Sequence, residues 1–260
     1  MEYLYKYTSL SSLIFILKNR EIRLNPLPTM DDQEEKLVAD LSDYAKYCFI
    51  SSWTNCTEEK ISLWNMYTRD MTGIRIRLRK NPFEIYKYVI DDNINDFHVN
   101  GSQGTYIPKE WFENMNSHLF IPPTLNDFLI DVEYTDSEEL IKPSILSYKD
   151  DSTNIALKIL GKYKRSEWHF QDEVRYRIIF LPVSLNERNN FELIAKSLSE
   201  VKDLPFDSVN FRIRKECFDE IEIMTGPKMS VGDKEILKLM VKEYCPKATI
   251  IPSKFTGKIL

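Results

Sequence analysis

Glycine is scarce in this chain, with seven among 260 residues, and none falls in a Gly-x-Gly-x-x-Gly or Walker pattern. Loops that wrap main-chain amides around phosphate depend on such clusters, so the Rossmann and phosphate-loop classes have no support. No Gly-x-Ser-x-Gly elbow is present, which removes the usual frame of a serine hydrolase. Cysteine is as sparse: Cys48, Cys56, Cys217 and Cys245 are too scattered for a disulfide-stapled module and are expected to remain thiols. The three histidines, His98, His118 and His169, lack the close pairing of zinc ligands, so no metal is expected. An excess of positive charge is missing too. The net charge of −5 argues against a general coat protein for nucleic acid, while leaving room for a local basic groove. No apolar run approaches the roughly 20 residues that cross a bilayer, and the opening Met1-Glu2-Tyr3-Leu4-Tyr5-Lys6 has no basic leader. The expectation is a cytoplasmic protein without a membrane segment.

What is present is an ordinary globular balance, 43% hydrophobic and 29% charged, with 12% aromatics. Tyr3 to Tyr7 alternates as a strand, and Ser9 can cap a helix whose stripe is Leu10, Leu13, Ile14 and Leu17. Glu21 to Leu24 returns as strand, Pro26 and Pro28 break it, and Thr29 to Glu35 forms an acidic loop or helix start. Cys48 to Trp53 is a further strand. Thr57 with Glu58 and Glu59 opens a helix carrying Ile61, Trp64, Tyr67 and Met71, stopped by Gly73. Ile74 to Leu78 and Phe128 to Tyr134 read as strands, Ile155 to Tyr163 as helix, and Val174, Tyr176 and Ile178 as the apolar face of another strand. Strand Ile221 to Thr225 turns at Gly226-Pro227 into a helix through Ile236, Leu237, Met240 and Tyr244, and Ala248 to Ile251 closes as strand. The pattern predicts an α+β fold with mixed or antiparallel central sheets and flanking helices. No boundary divides residues 1–260, so they are read as a single domain with an irregular insertion or lid at 91–126.

The densest chemistry lies in Trp168-His169-Phe170-Gln171-Asp172-Glu173-Val174-Arg175-Tyr176-Arg177. Along a strand Gln171, Glu173, Arg175 and Arg177 share one face, lining a cleft or forming a surface ion-pair ladder. Ser51 and Ser52 either orient a ligand or satisfy nearby backbone. Lys6, between two tyrosines, points to solvent or into a pocket. Trp64 and Tyr67, three apart on one helix, belong to the core or form a stacking wall. The acidic run Asp31, Asp32, Glu34 and Glu35 lacks the spacing of a calcium loop. Gly226-Pro227 between strand and helix offers a weak anion signal.

Separated blocks of this kind resemble the domain-of-unknown-function 2971 family over nearly the full chain. They are Leu4 to Thr8, the loop at Met30-Asp31-Asp32, Cys48 to Ser51, Leu63 to Tyr67 with Gly73-Ile74, Trp168 to Arg175, and Gly226-Pro227. The family loop Phe-Asn-Asp-Pro-Phe-Glu is kept here only in Asp32 and Glu35, and Gln171 stands where the family often has glutamate. A more remote likeness is to ADP-ribosyltransferase folds, on Tyr5-Lys6-Tyr7-Thr8 with its helix, on Ser51 or Ser52, and on Gln171-Asp172-Glu173 as a Gln-x-Glu motif. That resemblance implies NAD as substrate and Glu173 as the catalytic carboxylate stabilising a cationic ribose. Lys6, Tyr7, Thr8, Ser51, Ser52, Trp64 and Tyr67 would bind NAD, while Gln171 and Arg175 would face the acceptor, a nucleic acid or a protein. It suggests a toxin or effector in bacterial or phage defence. Two other classes stay open: a noncatalytic sensor or partner-binding subunit of a defence operon, and a metal-dependent nuclease using Asp31, Asp32 and Glu173.

Overall fold

The computed structural model describes residues 2–40, 43–87, 104–113, 118–121, 127–149, 152–187 and 190–259, and these form an α+β fold. The chain opens with β1 (Tyr3–Thr8), α1 (Leu10–Asn19), β2 (Glu21–Pro26), β3 (Cys48–Thr54), α2 (Ile61–Tyr67) and β4 (Ile74–Arg79). The middle adds α3 (Lys109–Glu113), β5 (Leu119–Ile121), β6 (Leu129–Asp131), β7 (Glu133–Tyr134), α4 (Glu138–Ile141), β8 (Leu146–Lys149), β9 (Ser152–Ile155) and β10 (Tyr163–Lys164). Then follow β11 (Glu173–Leu181), α5 (Phe191–Ser199), β12 (Val209–Arg212), α6 (Lys215–Asp219), β13 (Glu222–Thr225), α7 (Val231–Tyr244) and β14 (Thr249–Pro252).

Among the described residues ten strands join one sheet in the order β12-β2-β3-β1-β4-β13-β14, with β11 beside β3 and in turn bordered by β5 and β6. All its pairings are antiparallel except β13 with β14. The central strand β11 is buried on both faces. Val174, Tyr176, Ile178 and Phe180 enter the main core with Phe49, Trp53, Phe83 and Phe128, whereas Glu173, Arg175 and Arg177 alternate onto the opposite face. The surface ion-pair ladder is therefore overturned: these charges are buried.

On one edge β3 pairs with β11 along its length, from Glu173↔Thr54 to Ile179↔Cys48. On its other edge it meets two strands that part. β2 touches it only through Asn25↔Ile50 and Pro26↔Phe49, and β1 only through Tyr5↔Thr54. Ser51, Ser52 and Trp53 lie between these contacts. From there β2 continues alongside β12 and β1 alongside β4, with α1 joining the two diverging strands. The helix starts where predicted, because Ser9 accepts from the Ser12 amide at 3.1 Å, and it buries Leu13, Ile16 and Leu17.

Four expectations need correction. The helix expected to open at Thr57 begins at Ile61, since Thr57 O accepts from Arg75 and the Glu59 carboxylate is taken by Trp64 Nε1, Ser253 and the Lys254 amide. Met71 is not in that helix: Arg69, Asp70 and Met71 have φ of 46°, 56° and 64°, a left-handed turn closed by Gly73 N donating to Thr68 O at 2.9 Å. No helix spans Ile155 to Tyr163; a 3-10 turn (Leu157–Ile159) separates β9 from β10. Its carbonyls serve arginines rather than helical amides: Arg177 Nη1 donates to Lys158 O and Leu160 O, and Arg175 Nη1 to Gly161 O. Strand Phe128 to Tyr134 divides at Val132, β6 staying on β11 while β7 leaves to pair with β10. Of the expected insertion at 91–126, residues 91–103, 114–117 and 122–126 lie outside the described residues. The described remainder includes α3 and β5, and Tyr106, Ile107 and Phe120 are buried in the main core.

The Gly226-Pro227 turn does not offer a free anion nest: Gly226 N donates to Gly73 O at 2.8 Å and Lys228 N to Met71 O at 3.1 Å. The two glycines let three chain segments meet. A Cβ on Gly73 would lie 2.3 Å from Thr8 O, and one on Gly226 would lie 2.3 Å from Met71 O. Gly73→Ala should therefore destabilise the protein by about 1–3 kcal/mol, the usual cost of overpacking. Urea unfolding checks this; an unchanged midpoint would show that the backbone yields freely there.

Candidate functional site

The parting between β1 and β2 holds a cavity of about 530 Å³, within the usual size of a small-molecule site. One wall is β1, with Tyr5, Lys6, Tyr7 and Thr8. The opposite wall is α1 and β2, presenting Ser12, Phe15, Asn19, Arg23 and Asn25. Ile50 to Thr54 of β3 form the floor, and Tyr67, Asp31, Glu35, Lys164, Gln171, Glu173 and Arg175 close the inner end. Of the residues predicted to act together, Lys6, Tyr7, Thr8, Ser51, Ser52, Tyr67, Gln171, Glu173 and Arg175 all border this one space. Trp64 does not. It is wholly buried, edge-on to Tyr7 at 4.9 Å, and donates from Nε1 to Glu59, so it supports the β1 wall rather than stacking on a ligand.

Lys6 reaches across the parting. Its Nζ donates to Ser52 O at 2.9 Å and lies 3.5 Å from Ser51 Oγ, meeting a strand carbonyl on the edge left open between β1 and β2. Ser51 Oγ also accepts from Trp53 Nε1 at 3.1 Å. Burial brings the Lys6 ammonium down to about 8, a shift that the nearby Glu173 carboxylate partly counters.

At the inner end the charges form a closed set. Glu173 accepts from Arg175 Nε at 2.7 Å and Nη2 at 3.0 Å, and from Lys164 Nζ at 3.2 Å. Its own amide donates to Tyr134 OH at 2.9 Å. Lys164 also donates to Gln171 Oε1 at 2.8 Å and lies 3.2 Å from Glu35 Oε1, while Arg175 Nη1 pairs with Glu35 Oε2. Gln171 Nε2 donates to Tyr67 OH at 2.6 Å, and Asp31 lines the cavity with it. A continuous chain thus runs from Tyr67 through Gln171 and Lys164 to Glu173. Burial, followed by the nearby Asp31 carboxylate, holds the Tyr67 hydroxyl well above its ordinary range.

Burial alone would keep Glu173 protonated, yet Arg175 and Lys164 outweigh it and bring the carboxyl down to about 2. For Arg175, Glu173 and Glu35 likewise overcome the burial penalty and hold the guanidinium charged. With no exposure, hydrogen bonds to Glu173 and Gly161 O and an ion pair with Glu35, Arg175 holds Glu173 in place and is engaged on every side.

Lys164 and Glu35 are the residues that sequence reasoning missed as parts of the site. Lys164 carries no motif, and only contact across the fold gives it three partners. Glu35 had a signal in the family loop, without a partner to explain it. Asp31, offered with Asp32 for metal binding, shares the inner end of the cavity with Glu173, but among the described residues no three His, Cys, Asp or Glu side chains are grouped to hold a metal. Asp32 instead accepts from the Glu34 amide at 3.0 Å. Among the described residues, no helix is long and apolar enough to cross a membrane.

The depressed Glu173 pKa sets a pH dependence. A carboxyl lowered from 4.5 to about 2 stabilises the fold fully above its unfolded value, and that contribution is lost as pH falls toward 2. It amounts to something on the order of 3 kcal/mol, at about 1.4 kcal/mol per pH unit. Glu173→Gln should cost about 3–5 kcal/mol at neutral pH by leaving buried cations uncompensated, and should flatten the acid slope. Urea midpoints from pH 7 to about 2 test this; parallel slopes for both proteins would reject Glu173 as the source.

No family model matches this chain, and neither a curated protein nor a solved structure is matched by it.

Proposed function

We propose that the cavity binds NAD and that the protein is an ADP-ribosyltransferase-like enzyme acting on the nicotinamide–ribose bond. The observation that carries this reading is the convergence of Lys6, Ser51, Ser52, Gln171 and ionised Glu173 on one cavity in the parted sheet. In this reading the C1′–N bond breaks with its electron pair leaving on nicotinamide, and the negative charge at Glu173 stabilises the oxocarbenium ion that remains. A nucleophile then forms the new bond to C1′ and gives up its proton. Gln171 faces the acceptor, Ser51 or Ser52 supports Glu173 or the ribose, Tyr7 and Tyr67 border the ring, and Lys6 meets the pyrophosphate. The acceptor is a nucleic acid or a protein, or water if the activity is NAD hydrolysis.

A second reading has its own support. Both Glu173 oxygens are engaged by Arg175 and Lys164, which suits a structural carboxylate beneath a noncatalytic ligand pocket, as in a sensor or partner-binding subunit.

Incubation with NAD and chromatographic detection of nicotinamide separates the two. The enzyme reading expects release by the wild-type protein and a fall of about 10²-fold or more in Glu173→Gln, read at a temperature where calorimetry shows the variant folded. NAD binding without release by the wild type would establish the second reading, and neither binding nor release would remove NAD from the cavity. Lys6 adds a pH test: its charge is present below about 8 and lost above, so NAD affinity should weaken as pH rises through that value. Lys6→Met should bind weakly at every pH, and a wild-type affinity level from pH 7 to about 9 would rule out Lys6 as the phosphate contact.

A further inference from the structure

Glu35 and Glu173 share two cations but are held differently. Glu173 projects from the central strand and takes three hydrogen bonds from Arg175 and Lys164. Glu35 lies 3.2 Å from Lys164 and also pairs with Arg175, yet neither of its oxygens has a hydrogen-bond partner in proper geometry, although its side chain is only 1% exposed. A buried carboxylate held by ion pairs whose angles fall short of well-formed hydrogen bonds is a less complete fit than the one Glu173 makes. It also comes from a loop. That loop is fixed by buried Leu27 upstream and, downstream, by Ala39 N to Pro143 O and by Asp40 accepting from the Ile145 and Leu146 amides. Between those anchors the holds on neighbouring elements, apart from Glu35 itself, include Met30 and Val38 packed on a core cluster and Glu34 on Arg165, a pair whose carboxylate is 41% exposed.

We propose that Lys164 and Arg175 form an oxyanion-binding subsite, and that Glu35 is its tethered, displaceable occupant. With Glu35 in place, two cations face two carboxylates. With it withdrawn, Glu173 alone remains, and a guanidinium and an ammonium stand toward the cavity with net positive charge. An Arg–Lys pair in that arrangement takes a phosphoryl or carboxylate group, the guanidinium by paired N–H donors and the ammonium as a point charge. The ligand replaces a carboxylate already there, so no bare charge has to be buried. The inference concerns the same cavity as the NAD reading but not bond cleavage. Failure of NAD turnover leaves it standing, and failure of anion binding leaves Lys6 as the phosphate contact.

The test is calorimetric titration of the full chain with inorganic pyrophosphate and, separately, with succinate. Removing the tethered competitor in Glu35→Gln should tighten binding by about tenfold, roughly 1.4 kcal/mol, and adding Lys164→Met should abolish the gain. Preference for pyrophosphate assigns a phosphoryl ligand, and preference for succinate a carboxylate. A folded Glu35→Gln that binds neither anion more tightly overturns the proposal, as does a gain that survives Lys164→Met. Hydrogen exchange on the wild-type protein tests it without any variant: saturating pyrophosphate should speed exchange in residues 29–36, and unchanged or slower exchange there overturns it.

Discussion

Arg175 carries its charge on the central strand with no solvent exposure, and the inner half of the structure is arranged around neutralising it. An isolated buried guanidinium would be prohibitively costly, so partners must come from wherever the fold can deliver them. Glu173 arrives from two residues earlier on the same strand, Glu35 from the loop after β2, and the Gly161 carbonyl from the turn before β10. Lys164 then balances the second carboxylate. The β10 segment and the 29–40 loop are thereby tied to β11 by charge. The same demand explains why Ile155 to Tyr163 is not helical: its carbonyls are needed by Arg175 and Arg177.

The cavity follows from a second constraint, the parting of β1 and β2. A sheet edge with unpaired groups normally pairs or is covered. Here Lys6 covers part of the β3 edge with a charged side chain instead of a strand, and the space beside it is lined by apolar side chains such as Phe15, Ile50 and Leu63 as well as by Asn19, Asn25 and Ser52. The apolar bulk of β11 and β3 faces the other way, where Phe49, Trp53, Tyr176 and Phe180 form the main core. The opposite face carries the charged set at one end and, beyond it, a second apolar cluster that includes Cys48, Ile50 and Ile179.

Much of this was legible in the residues. Period-two alternation marked β1, β4 and β11, and the Ser9 cap with its apolar stripe marked α1, because those signals are local. Glu173 and Arg175 were recognisable as one face for the same reason, whereas Gln171, expected on that strand, ends the 3-10 turn Ser166–Gln171, and Asp172 turns left-handed at φ 41° before β11 begins. The ends of α2 were not, since Glu59 and Thr57 are diverted by Ser253, Lys254 and Arg75 from far along the chain. Nor was the burial of Glu173 and Arg175, because a strand flanked on both sides by other strands cannot be told from an edge strand by its own alternation. Lys164 is the extreme case. Nothing next to it in sequence distinguishes it from the other basic residues, and its place depends on β10 lying beneath the 29–40 loop.

The engagement of Glu173 bears on chemistry as well as stability. A carboxylate that holds its charge against burial is what a cationic transition state requires, but one fully bonded to Arg175 and Lys164 has little field left to offer. The two statements are reconciled only if its partners can be shared. Arg175 and Lys164 serve two carboxylates, so their demand for negative charge can be met by Glu35, by Glu173 or by an incoming anion in different proportions. Lys6 stands apart from this set, bonded to a neutral carbonyl and hydroxyl, and its attraction to a ligand does not have to be won from a carboxylate in direct contact. In the proposed reaction, the charge that Glu173 can offer would therefore depend on what occupies the Glu35 position beside the two shared cations.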